Sequence, residues 1–108
     1  MRAALVEGAS RDTTAMAVRY ALQLLAEIAP GNSVEVRVPP FGATQAVEGP
    51  RHTRGTPPNV VETDAATWLA LATGAETWSA ALAAGRVHAS GVRADLAAQL
   101  PVIALGRG

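Results

Sequence analysis

The 108 residues contain no cysteine, no lysine, one phenylalanine and one tyrosine, and no unbroken apolar run long enough to span a bilayer. Without cysteine, disulfides and thiolate metal sites are excluded. Nine arginines face nine acidic residues, for a formal net charge of zero and a pI near 6.7. That balance argues against a nucleic-acid partner, because affinity for a polyanion comes mainly from clustered basic side chains that release counterions. The most apolar stretch, residues 15–29, is interrupted by Arg19, Gln23 and Glu27, so it cannot cross about 30 Å of hydrocarbon. Met1 to Ser10 lacks the long apolar region of a secretory signal, which makes cytoplasmic residence the expectation.

What is present is alanine. Twenty-four alanines fill almost half of the 49% hydrophobic share, and each buries little area, so the few large apolar side chains are informative. The length suits one domain over residues 1–108, with residues 1–10 read as a tail or an added helical turn. At this size roughly two thirds of the unfolded chain's surface is buried on folding, enough for a core without covalent staples.

Periodicity then places the elements. Ser10 caps a helix with Asp12 in its first turn, and Pro30-Gly31 ends it. Arg19, Gln23 and Glu27, four apart, predict one narrow polar stripe, with Met16, Val18, Tyr20, Leu22, Leu24, Leu25 and Ile28 filling the rest. From Ser33 to Val38 the pattern alternates, Val34, Val36 and Val38 against Glu35 and Arg37, which is a half-exposed strand. Pro39-Pro40 interrupts pairing and Phe41 to Glu48 resumes an extended pattern, so two antiparallel neighbours are expected. Gly49 to Asn59, GPRHTRGTPPN, holds no large apolar residue and reads as an exposed, stiff loop.

Val60 to Thr63 reads as a short strand. Thr63 or Asp64 caps a helix that runs to Thr73, where Gly74 supplies the C-terminal turn. Trp68, Leu71 and Ala72 share one face of it. A helix from Glu76 to Ala84 follows, with Trp78, Ala81 and Leu82 on one stripe, then a strand Arg86 to Ser90 and a turn at Gly91. Leu96 and Leu100, four apart, predict a last helix from Arg93 to Leu100, stopped by Pro101. Val102 to Leu105 is read either as an edge strand or as a trailing end.

This order, and the residues within it, resemble the sterol carrier protein domain. The run Asp64 to Gly74 (DAATWLALATG), then Trp78, Gly85-Arg86-Val87, Ser90-Gly91 and Leu96 is similar to the carrier pattern, and Val34 to Asp64 resembles the short sterol carriers of actinobacteria. The resemblance covers about Ala15 to Val102. It implies an α+β fold: a curved, mainly antiparallel sheet of about five strands with helices packed over one face. It also implies a non-enzymatic carrier that holds a fatty acyl or sterol-like ligand in an apolar cavity between helices and sheet.

Phe41, Val61, Trp68, Leu71, Trp78, Leu82, Leu96 and Leu100 are the large apolar residues that would line such a cavity. The same spacing serves an ordinary filled core equally well. Arg51 and Arg54, flanking His52, match carboxylate and phosphate geometry and would meet a head group. A solvated loop or pairing with Glu48 or Glu62 explains them as well. No catalytic residue, metal or cofactor is expected: the serines lack a GxSxG context, and two histidines without cysteine are short of a zinc site. The expected partner is therefore a lipid or other apolar small molecule, with no nucleic acid and no transmembrane segment. The alternative is a protein-interaction or regulatory module with a packed core and no lipid.

Overall fold

In the computed structural model, residues 10–49 and 59–103 are described. The first helix, α1 (Arg11–Ile28), begins where the Ser10 hydroxyl accepts the Thr13 N–H at 3.1 Å. That bond satisfies one of the amides a helix start leaves open. Ala15, Ala17, Val18, Ala21, Leu22 and Leu25 form its buried face. The exposed face is broader than the expected stripe: Met16 and Tyr20 are 72% and 54% accessible, and Ile28 is exposed with them. Small alanines on the inward side let the helix sit close to the sheet on one arc only, and the other apolar residues stay outside.

The strands β1 (Val34–Val38), β2 (Gly42–Ala46), β3 (Asn59–Thr63) and β4 (Val87–Ser90) form one sheet in the order β2-β1-β3-β4. β1 pairs antiparallel with β2 and parallel with β3, and β3 pairs antiparallel with β4. The sheet is thus mixed, and four-stranded among the described residues where about five strands were expected. The alternation in β1 holds: Val34, Val36 and Val38 are wholly buried, while Glu35 and Arg37 lie on the other face. There Arg37 pairs with Glu35 at 3.0 Å, a contact that holds its guanidinium above the usual arginine range.

Helix α2 (Ala65–Thr73) is capped by Asp64, whose carboxylate accepts the Thr67 N–H at 2.7 Å, and it stops at Gly74 with φ +81°. That left-handed turn is open to glycine at no steric cost. Helix α3 (Trp78–Ala83) starts two residues later than the sequence pattern placed it, because Thr77 is the cap and accepts the Ala80 N–H. Of its expected stripe Trp78 and Ala81 are buried, whereas Leu82 is 43% exposed.

The expected helix from Arg93 to Leu100 does not form. The Asp95 carboxylate accepts the Ala97 N–H at 2.8 Å, two residues on, and such local bonds compete with a helical ladder. Only a turn survives, with the Gln99 and Leu100 amides on the Leu96 carbonyl. Residues 91–103 instead make a strap across α2. Leu96 is buried beneath it, and the Val102 and Ile103 N–H groups both reach the Ala72 carbonyl at 2.9 Å. Val102 and Ile103 therefore dock on a helix end, and neither belongs to a strand. None of the described helices is long and apolar enough to cross a membrane.

Candidate functional site

Between the helices and the sheet lies a layer of buried side chains. Val18, Val36, Val61, Trp68, Leu69, Leu71 and Leu96 are each 1% accessible or less. Burial of this degree on both sides of the layer is that of an ordinary protein interior. Trp68 is held by more than shape, since its indole N–H donates to the Val18 carbonyl at 3.3 Å. That bond ties α2 to α1 through a group that would otherwise be a buried donor without a partner.

Among the described residues, one open space with a mainly apolar wall lies at the corner where α2 ends and α3 begins. A hollow of about 350 Å³ is lined there by Leu71, Gly74, Glu76, Thr77, Trp78 and Ser79 from the two helices and their joint, and by Ala97, Leu100 and Pro101 from the strap. Leu71 and Trp78 are buried and form its inner lining, while Thr77 and Ser79 are exposed at its mouth. The corner is fixed locally. Gly74 allows the left-handed turn, the Glu76 N–H returns to the Ala70 carbonyl at 3.1 Å, and Thr77 caps the next helix. The Glu76 carboxylate also pairs with the Arg86 guanidinium, so the joint is tied to the residue just before β4.

Of the eight apolar residues singled out in the sequence, Leu71, Trp78 and Leu100 come together in this hollow. Val61, Trp68 and Leu96 lie in the buried layer. Phe41 sits against α1, its carbonyl accepting the Arg19 Nε–H at 2.9 Å and its ring lying under the Arg11 guanidinium. Leu82 lines a separate, open depression of about 510 Å³ beside the edge strand β4, together with Arg37, Glu62 and His88. Arg51 and Arg54 lie outside the described residues. The residues the sequence pattern passed over, Gly74, Glu76, Thr77, Ser79, Ala97 and Pro101, are small or polar. For Gly74, Glu76, Thr77 and Ser79 the signal was the close spacing of a helix stop at Gly74 and a helix cap at Thr77, which marks a sharp corner.

The chemistry available at the corner is that of binding. Its lining offers an apolar wall, two hydroxyls and one paired carboxylate, and no nucleophile held against a base. Among the described residues no three His, Asp or Glu side chains stand close enough together to hold a metal ion.

No curated protein matches the chain. A family model described as bacterial SCP ortholog, SCP standing for sterol carrier protein, matches residues 10–102. That span runs from the cap of α1 through the strap to Val102, taking in every element of the fold, and the chain belongs to this sterol-carrier-like family.

Proposed function

We propose that the protein is a carrier that binds a lipid or another apolar small molecule reversibly and without chemical change, its hydrocarbon part lodged at the α2–α3 corner. The observation that carries this reading is the convergence of Leu71, Trp78 and Leu100 on a hollow of about 350 Å³. Ligand sites run from about 300 to 1,000 Å³, so the space suits a single alkyl chain or a small ring system. Family membership supports the same class of role. The physics is sufficient, since each methylene withdrawn from water contributes about 0.8 kcal/mol. Eight of them give roughly 6 kcal/mol before the costs of association, which sets the tightest attainable affinity at about tens of micromolar.

The test is a titration of isotopically labelled protein with decan-1-ol, followed by amide and indole NMR shifts. Shifts centred on Leu71, Trp78 and Leu100 are expected. Shifts centred instead on Val36, Val61 and Trp68 would move the ligand to the layer beneath the helices, and silence across alkanols, fatty acids and sterols would overturn the carrier reading. A second reading, an interaction module without lipid, draws on the buried layer and on the exposed Met16 and Tyr20 of α1. That silence is the result it expects.

A further inference from the structure

Five large apolar side chains stand exposed among the described residues, and three of them, Met16, Tyr20 and Ile28, are on α1. Partly buried Leu24 completes their four-residue spacing, so Met16, Tyr20, Leu24 and Ile28 form one continuous row along the helix. Beside it runs a second row, Arg19, Gln23 and Glu27, all exposed. This polar row carries opposite charges at its two ends. Arg19 is steadied by the bond from its Nε–H to the Phe41 carbonyl, and Glu27 by the bond it accepts from the Gln23 side-chain amide, both at 2.9 Å. Among the described residues, neither charge meets an opposite one at ion-pair distance.

We infer that two copies of this chain associate through the outer face of α1, their helices antiparallel across a two-fold axis near Gln23. At a rise of about 1.5 Å per residue, Arg19 and Glu27 lie about 6 Å to either side of Gln23 along the helix. Reversing the direction of the second helix therefore sets Arg19 of each copy beside Glu27 of the other, while the apolar rows cover one another. Parallel helices would instead set like charges together. A two-fold contact needs one surface that complements itself, and this row does so. The residue types agree, since methionine, tyrosine and arginine are enriched where proteins meet. A lipid surface fits this face poorly: a helix that lies on anionic head groups has a basic polar side, whereas here one arginine is balanced by one glutamate. One helix from each copy makes a small contact, below about 1,200 Å² in all, which is the size of a transient dimer. No residue of α1 lines the corner hollow, so the inference stands apart from the carrier reading.

The experiment is sedimentation velocity on the full chain from about 10 µM to about 1 mM, the range over which a contact of this size should pass from monomer to dimer. Tyr20→Glu is expected to weaken the dimer at least about tenfold, because it sets an unpaired charge in the middle of the contact. Arg19→Glu and Glu27→Arg should each weaken it about fivefold, the size of an exposed charge contact made twice. Mixed in equal amounts, the two reversed chains should form a heterodimer about as tight as the unmodified dimer, because each then carries the charge that the other lacks. Local damage to the helix does not produce such a recovery. A monomer at every concentration, an association indifferent to Tyr20→Glu, or reversed chains that gain nothing on mixing would each overturn the inference. So would a chain that stays monomeric and sediments with phosphatidylglycerol vesicles, a result that would give the face to a membrane surface.

Discussion

The layer beneath the helices and the corner beyond α2 draw on the same residue types, leucine, alanine and tryptophan, yet one is buried throughout and the other is hollow. The difference lies in what faces them. In the layer, α1 and α2 oppose a sheet whose valines project at regular spacing, so side chains on both sides interdigitate. At the corner, α2 and α3 oppose the strap, a segment without helical or strand geometry whose position is set largely by its backbone. Its amides must find acceptors, and Val102 and Ile103 find one at Ala72. Chain placed by hydrogen bonds need not close the space between side chains. The molecule thereby differs by region: side chains of the layer are shut away from solvent, and open space is left where the regular elements stop.

The sharpest way to break this contrast is Trp68→Ala. Removing a fully buried indole and leaving the Val18 carbonyl without its partner should cost about 3–5 kcal/mol in urea unfolding. A cost below about 1.5 kcal/mol, the scale of a volume-conserving change, would show that the layer is loose after all. Next is Gly91→Ala at the start of the strap. This residue has φ +100°, and an added Cβ would run into Asn59, so a loss of about 2 kcal/mol is expected. Thr77→Ala, which removes the cap of α3 at the corner, should cost about 1 kcal/mol. Ser79→Phe sharpens the contrast from the other side. It fills the hollow from an exposed position, so unfolding should shift by less than about 0.5 kcal/mol while decan-1-ol binding is lost.

The outer face of the sheet gives the smallest effect. Glu35 raises the Arg37 pKa above its unfolded value, first by hydrogen bonding and then by charge. A raised folded-state pKa means a contribution that is complete below the ordinary arginine range and is lost only as pH rises through the folded value. Arg37 should therefore add no slope to stability between pH 5 and 9. Because the pair is open to solvent, Arg37→Gln should leave the thermal midpoint where it is.

Much of the layer was legible in the sequence, because its elements announce themselves locally. Ser10 and Asp64 as caps, Gly74 as a stop, the alternation of Val34, Val36 and Val38, and the pairing across Pro39-Pro40 are all short-range signals. The parallel pairing of β1 with β3 was not legible, since it depends on where the chain returns after β2. The strap was misread for a definite reason. Leu96 and Leu100 are four apart, as in a helix, but Asp95 bonds the Ala97 amide and diverts the backbone. The candidate site was only partly legible as a result. Leu71, Trp78 and Leu100 stood out by size, whereas their meeting place depends on a wall whose shape the leucine spacing concealed. The broad outer face of α1 escaped for a related reason: hydrophobic character marks what is eligible for burial, and the sheet is wide enough to cover only one arc.

Asn59, at the first position of β3, reaches in two directions at once. Its Nδ2 donates to the Ser33 carbonyl at 2.8 Å, and its Oδ1 accepts the Arg93 N–H at 3.0 Å. One planar amide thus rivets the approach to β1 to the beginning of the strap. Aspartate would keep the acceptor and lose the donor, leucine would lose both, and glutamine would carry the same fork one methylene too far. The alignment of the sheet and the placement of the strap consequently share a single side chain, so that disturbing either one is felt by the other.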